Sequence, residues 1–309
     1  MDIPTYLTYI DIHSDICCQH FIDFQPFIIH HNPNSTTDRR LLTSEQLEHV
    51  YNSYPESISD ISCQNKNDLE FKGSPYDRER IQMKLSSFMT GFTCLEKNMH
   101  HWTHDLDMNL FLAQMSILNT EIHNVNYIEL TPEMLGCHQL TNNNESNVQS
   151  SPKLYDVNGH IHTIDIPAPL RNERIEAINL WMNYYSAQSS LHYDAYHNFL
   201  VICQGQKTVL LISPEYTSVL KPHSACHNSP NHSSLTASEI RSKQKEIPMF
   251  EVVLKAGDIL FIPEGCWHFV SSSQCTMAIS FWFTSPLKKL LQLSHMSAYN
   301  SKYDCCYYL

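Results

Sequence analysis

Ser189-Ser190-Leu191-His192-Tyr193-Asp194 is the stretch on which the reading of this sequence turns, together with Ala256-Gly257-Asp258-Ile259-Leu260-Phe261-Ile262-Pro263-Glu264-Gly265-Cys266-Trp267-His268 further along. On a β-strand, residues two apart project from the same face, so His192 and Asp194 can both point into a barrel. A third ligand has to come from another strand, and His268 is the candidate. Two imidazoles and one carboxylate form a facial set that leaves three adjacent positions open on an octahedral metal. That arrangement suits non-haem Fe(II) and oxygen activation, because cosubstrate and O2 must bind side by side. The His-x-Asp spacing alone decides little: the chain has 19 histidines, and an aspartate two residues from one of them arises easily by chance. Its weight comes from the segments around it.

Working outward, the chain from Glu176 to Thr284 is dominated by short apolar runs separated by turn residues. Ile178 to Tyr185 alternates in part, and Asn198 to Cys203 is an apolar run that turns at Gln204-Gly205-Gln206 into Lys207 to Ile212. Phe250 to Leu254 leads through Ala256-Gly257-Asp258 into Ile259 to Ile262, and Cys275 to Phe283 closes the series. Many short strands with little intervening helix predict an all-β sandwich or barrel. The first third reads as mixed α/β. Phe24 to His30 is an edge-strand candidate with a proline near its start. Thr43 to Val50 looks like a capped helix start, and Ile81 to Met89 reads as a strand followed by a helix. Asn109 to Ile122 mixes both periodicities. Two polar stretches, Thr141 to Pro152 and His223 to Gln244, read as loops; the second lies within the candidate catalytic region, so it is either functional or mobile. Leu287 to Met296 reads as an amphipathic closing helix.

Composition narrows the functional classes. The 309 residues are 42% hydrophobic and carry a net charge of −12. The apolar content suffices for a core, which excludes global disorder. The acidic balance argues against sequence-independent binding to phosphate backbones. No apolar run is long enough to span a bilayer, and Met1-Asp2-Ile3-Pro4-Thr5 shows no basic and apolar secretion signal. The 11 cysteines are odd in number and scattered, with no CxxC, which excludes a zinc ribbon or a thioredoxin-like motif. Free thiols fit a reducing compartment, so the expected location is cytoplasmic, nuclear or both.

The stretch from Ile178 to Phe283 resembles the Jumonji-C (JmjC) family of Fe(II)- and 2-oxoglutarate-dependent oxygenases, and in particular its small, cupin-like, hydroxylase-type branch. Ser189 to Asp194 is similar to that family's (T/S)PLHxD strand. Asn198-Phe199 with Gln204 to Pro214 resembles its N(F/L)…GxKxxxLxxP segment, and Ala256 to His268 its PGDxLxIPxxWxH element. Ser280-Phe281-Trp282-Phe283 is similar to its closing (N/S)xW(F/Y) strand. The resemblance implies a double-stranded β-helix, the jelly-roll or cupin-like barrel, mainly β with some α. Residues 106–285 would form the catalytic domain, interrupted by the 223–244 insertion. Residues 1–105 would be an α/β extension packed on the barrel, and 286–309 a C-terminal helix and tail.

The resemblance also implies roles. His192, Asp194 and His268 would hold Fe(II), and Lys207 would pair with the distal 5-carboxylate of 2-oxoglutarate. Residue chemistry agrees, because a dicarboxylate held in an apolar barrel needs a cation at its buried end. Ser189 would donate to the same carboxylate, Asn198 would hydrogen-bond the iron-proximal end of the cosubstrate, and Ser280 stands where the family often has Asn or Ser. Trp267 and Trp282 read as barrel core. Two departures stand out: Ser190 replaces a proline frequent in the pattern, and Phe111 falls where some hydroxylases supply a Tyr hydroxyl.

The implied activity is hydroxylation of a protein side chain, with release of succinate and CO2. No zinc-binding cysteine set, reader module or basic tail of the kind that often accompanies histone demethylases is present. Alternatives within the family are N-methyl-lysine or N-methyl-arginine demethylation and hydroxylation of a tRNA base; the net charge argues against the last. An alternative of another class is a non-catalytic, metal-binding cupin-like interaction domain. The expected partner is a protein or peptide substrate, with neither membrane nor nucleic acid, and the C-terminal helix is a candidate for homodimerisation.

Overall fold

The computed structural model describes residues 9–10, 25–29, 42–52, 56–67, 70–71, 78–117, 127–129, 163–165 and 175–284. The polar stretch Thr141 to Pro152 and the helix expected over Leu287 to Met296 lie outside them. The strands are β1 (Tyr9–Ile10), β2 (Phe27–Ile29), β3 (Ile58–Asn65), β4 (Glu70–Phe71), β5 (Arg80–Lys84), β6 (Met108–Ile117), β7 (Tyr127–Glu129) and β8 (Thr163–Asp165). They continue as β9 (Ile175–Asn183), β10 (Ala187–Ser189), β11 (His197–Gln204), β12 (Gln206–Ile212), β13 (Phe250–Lys255), β14 (Ile259–Ile262), β15 (Trp267–Ser272) and β16 (Thr276–Phe283). The helices are α1 (Ser44–Asn52), α2 (Leu85–Glu96), α3 (Thr217–Leu220) and α4 (Ala237–Ser242).

Two sheets face each other, as expected for a cupin-like jelly roll. A nine-stranded sheet runs β1-β2-β14-β11-β16-β9-β6-β3-β5, and a five-stranded sheet runs β13-β12-β15-β10-β4. Chain neighbours β11 and β12 lie in different sheets, and so do β13 and β14, which is how the strand pairs wrap into a double-stranded helix. The run read as an edge strand, Phe24 to His30, contains β2, which lies one place in from the edge, with β1 beyond it. Strands β3 and β5 hydrogen-bond into the large sheet through β6, so these N-terminal residues extend the barrel wall itself.

Both faces of the central strands are covered. Leu200, Ile202, Val209, Leu211, Leu260, Ile262 and Ala278 fill the space between the sheets. The alternate residues of the large sheet, among them Phe199, Val201, Phe261, Ile279 and Phe281, pack outward against Leu47, Tyr51, Phe88 and Phe92 of the helices. Leu210, Ile212, Trp267 and Phe269 of the small sheet pack outward against Leu235, Ile240 and Ile247. Strands buried on both sides read in sequence as continuous apolar runs, which is how Asn198 to Cys203 and Lys207 to Ile212 look.

The helices start and pack for identifiable reasons. Thr43 caps α1 reciprocally with Gln46: the Gln46 N–H donates to Thr43 Oγ1 at 3.3 Å and the Thr43 N–H to Gln46 Oε1 at 2.8 Å. Helix α2 follows β5 without a break and is pinned to the barrel by Tyr184, whose hydroxyl donates to the Phe88 carbonyl at 2.5 Å. Gly91 allows this approach, because a Cβ there would run into Thr103 Oγ1 and the Tyr184 hydroxyl. Gly91→Ala is therefore expected to destabilise the fold by about 1–3 kcal/mol through overpacking, despite a helix-propensity gain of about 1 kcal/mol. A urea midpoint equal to or above wild type would contradict this packing. No helix of the described residues is long and apolar enough to cross a membrane, and the six described cysteines are free thiols.

Candidate metal centre and cosubstrate site

The segment carrying His192 and Asp194 is not a regular strand. His192 forms an isolated antiparallel bridge with His268: the His192 N–H donates to the His268 carbonyl at 3.0 Å, and the His268 N–H returns to the His192 carbonyl at 2.7 Å. One reciprocal pair of backbone bonds therefore fixes the two imidazole-bearing residues side by side. Asp194 is held from the turn before β15, where the Gly265 N–H donates to the Asp194 carbonyl at 2.9 Å. Gly265 has φ +76°, a left-handed conformation that favours glycine at the tip of this turn.

The side chains converge. One ligand atom from each of His192, Asp194 and His268 lies within 4.8 Å of the others. The His268 Nε2 to Asp194 Oδ2 distance is 3.7 Å. Each imidazole uses Nδ1 on a backbone carbonyl, His192 on Ser190 at 2.9 Å and His268 on Cys266 at 2.9 Å. A carbonyl can only accept, so Nδ1 carries the proton in both rings and Nε2 keeps the lone pair a metal needs. Burial, then the neighbouring His268 and His232, push the His192 pKa well below its ordinary value. Burial pushes the Asp194 carboxyl up, with His268 opposing. Two imidazoles that present Nε2 beside one carboxylate are a donor set for a divalent cation, and these residues fit Fe(II).

The cosubstrate end lies on the same interior face. Lys207 on β12 is 5% exposed, and among the described residues no carboxylate lies within ion-pairing distance of it. Its Nζ donates to Ser272 Oγ at 2.6 Å, and burial pushes its pKa down to about 8. Lys207 is in register with Ser272, four residues along β15 from His268. That is about 13 Å of strand, a span that a chelated five-carbon dicarboxylate and a lysine side chain cover between them. A buried cation without a counter-charge on this face is what a 5-carboxylate would complete.

The remaining candidates occupy the surrounding wall. Ser189 Oγ accepts from the Val270 N–H at 3.0 Å and keeps its own proton to donate. Asn198 lies opposite Trp282 and Ile262, facing inward, and its Oδ1 is buried without a partner. Ser280 accepts from Trp181 Nε1 at 3.0 Å. Trp267 is core, fully buried beneath the insertion. Trp282 is half-buried, stacks on Tyr196 and leaves Nε1 buried without a partner. Phe111, in register with Asn183, offers no hydroxyl, and the Arg78 guanidinium sits 5.5 Å from its ring centroid.

Ser272, Trp181 and Asn179, whose Oδ1 is also buried without a partner, were not singled out by sequence reasoning. The signal for the last two was the inward alternation of Ala177, Asn179, Trp181 and Asn183 along β9. Ser272 carried none, because its contact with Lys207 depends on the pairing of β12 with β15.

A jelly-roll barrel with a facial two-histidine, one-carboxylate cluster at one end and a buried lysine along the wall defines the class. A profile describing the cupin-like domain matches residues 72–289. The chain belongs to the cupin-like domain family, of the Jumonji-C type. Among its relatives, Lysine-specific demethylase JMJ31 of Arabidopsis thaliana is 36% identical over 146 residues, covering 44% of this chain and 26% of that protein. Lysine-specific demethylase 8 of Danio rerio is 33% identical over 118 residues, covering 35% and 27%. An uncharacterized protein of Bacillus subtilis, YxbC, is 32% identical over 98 residues, covering 31% and 30%. The chain thus spans about a quarter to a third of the length of these relatives. Jumonji-C enzymes depend on Fe(II) and 2-oxoglutarate.

Proposed function

We propose that this protein is an Fe(II)- and 2-oxoglutarate-dependent oxygenase acting on a protein or peptide side chain in the cytoplasm or nucleus. The observation that carries the reading is the pairing, on one barrel interior, of the His192–Asp194–His268 cluster with Lys207, a buried cation that has no carboxylate partner among the described residues. When bound, Fe(II) would supply the oxygen chemistry, in which R–H, O2 and 2-oxoglutarate become R–OH, succinate and CO2. The chain's own part is to hold and exclude. The two Nε2 atoms and the Asp194 carboxylate hold the cation. Lys207, with the Ser272 and Ser189 hydroxyls, orients the cosubstrate by its distal carboxylate. Asn198 and Trp282 border its other end, and the apolar wall keeps water out.

Two outcomes share this chemistry. The names of the relatives favour N-methyl-lysine as the hydroxylated group, the C–N bond of the carbinolamine then breaking to release formaldehyde and leave the lysine amine. The other outcome is a stable hydroxyl on an unmethylated side chain, as the resemblance to the hydroxylase-type branch implies.

The test is anaerobic titration of Fe(II) and 2-oxoglutarate, followed by aerobic incubation with methylated and unmethylated peptide libraries. A weak visible charge-transfer band, with succinate formation, is expected in wild type. Formaldehyde with loss of 14 Da would select demethylation, and a gain of 16 Da hydroxylation (mass changes rounded, from the stoichiometry above). Folded protein with no band would sink the oxygenase reading and promote a metal-binding interaction domain.

A further inference from the structure

The 223–244 insertion is built into the metal-binding segment. The Ser233 N–H donates to the Leu191 carbonyl at 2.9 Å, and the Tyr193 N–H donates to the Asn231 carbonyl at 3.1 Å. Asn231 Nδ2 returns to the Tyr193 carbonyl at 2.7 Å. Beneath it, Leu235 and Ile240 pack in one cluster with Leu191, Tyr193 and Trp267. Between Asn231 and Ser233 lies His232, 5% exposed and bridged to His192. Its imidazole stacks on that of His192, with centroids 4.9 Å apart and planes 11° from parallel.

Ser190 joins the two rings. Its carbonyl accepts from His192 Nδ1 at 2.9 Å, and its hydroxyl bonds His232 Nδ1 at 2.7 Å. The departure noted in the sequence, serine where the pattern has proline, supplies that hydroxyl.

We propose that Ser190 and His232 are a positioning pair that holds His192 in its metal-binding orientation, so that the insertion is part of the support of the metal centre. This rests on the reading of the triad as a metal site. An imidazole has two side-chain torsions to fix before it can bind. The Ser190 carbonyl sets one edge of the ring, and the stacked His232 ring blocks rotation toward its own side. His232 is in turn held by the Ser190 hydroxyl and by the backbone bonds on both sides of it. Partners that orient a ligand in this way typically change metal affinity 10- to 100-fold when removed.

The probe is Co(II) alone, titrated into the full chain while its d–d absorption is followed. Ser190→Ala and His232→Ala are each expected to weaken binding by about tenfold and to shift the bands. The double variant should be no weaker than the weaker single one, because the two act as a unit. Ser190→Thr, which keeps the hydroxyl, should restore both affinity and spectrum, while metal-free melting stays near wild type throughout. Wild-type affinity with an unchanged spectrum in both single variants would overturn the proposal. So would additive losses accompanied by lowered melting, which mark a merely structural role. Should His232→Ala not fold, the contrast between Ser190→Ala and Ser190→Thr decides alone. Wild type that binds no Co(II) would overturn the metal-site reading itself, whereas unaffected variants of a binding wild type remove only the positioning pair.

Discussion

Asp194→Ala is expected to weaken binding of Fe(II), or of Mn(II) as its redox-silent substitute, by at least about 100-fold, beyond what loss of a supporting partner alone produces. The reason is charge as well as donor number. With the carboxylate gone, two neutral imidazoles remain, and they cannot offset the loss of hydration of a divalent cation. The metal-free protein should respond in the opposite direction. The Asp194 pKa is raised in the fold, chiefly by burial, so the native state holds this proton more tightly than the unfolded chain does. The contribution of this group to stability is full below the unfolded pKa and is lost as pH rises through the folded value. At neutral pH a buried carboxylate is a burden on the metal-free fold. Asp194→Ala should therefore melt at or above the wild-type temperature when metal-free while losing its metal affinity, the trade seen where a site works against stability. Calorimetric titration with Mn(II), alongside melting with and without a chelator, checks both halves. An affinity within threefold of wild type (a margin set well inside the ~10-fold minimum for supporting partners) would remove Asp194 from the centre.

The second large effect is expected at Lys207. Lys207→Ala should weaken 2-oxoglutarate binding to the Mn(II) form by about 100-fold, equivalent to about 3 kcal/mol. Binding of oxalate, which chelates a metal but has no distal carboxylate, should be unchanged. Ser272→Ala should produce a smaller loss of about 1 kcal/mol, because its hydroxyl orients the ammonium at 2.6 Å.

The pH dependence follows with a definite sign. In the ligand-free protein burial pushes the Lys207 pKa down to about 8, and a bound carboxylate raises it again. Between those two values 2-oxoglutarate binding takes up a proton. Its affinity should therefore fall about tenfold per pH unit above about pH 8, and that of oxalate should not. For the free fold, the unfolded chain holds the extra proton between the lowered value and 10.5, so stability rises with pH through that window. The penalty of about 3 kcal/mol is full below about pH 8. A flat affinity profile would mean that Lys207 does not meet the carboxylate.

What could be read from the sequence follows from how local each signal is. Strands β11, β12 and β14 declared themselves as apolar runs because both of their faces are buried. The β5-to-α2 junction was legible because Ile81 to Met89 changes period within one short stretch. His192, Asp194 and His268 were legible through the segments around them, since the His-x-Asp spacing alone is common, and the fold brings their ligand atoms together. Strand β15 was less visible, since Trp267 to Ser272 starts apolar and ends in two serines. Its companion β10 is only three residues long and owes its conformation to its neighbours. Ser272 and His232 were silent for a different reason. Ser272 matters through a cross-strand register, and His232 through a bridge to a segment some 40 residues away, which no periodicity within either stretch encodes. The insertion's composition suggested a loop, whereas its backbone is committed to pairing with Leu191 and Tyr193.

The reciprocal backbone bridge between His192 and His268 also bears on how the molecule reaches its native state. Its two halves are separated in the chain by β11, β12, β13 and β14, so the ligand pair exists only after those strands have closed around one another. Non-local closure of this kind belongs to the slow regime of folding, in milliseconds to seconds. A cation that recognises the completed cluster therefore has little affinity for partly folded chains. At 100 times its dissociation constant such an ion adds about 2.7 kcal/mol to the native state alone. In this way a bound metal would act as a latch that resists reopening after the barrel has shut.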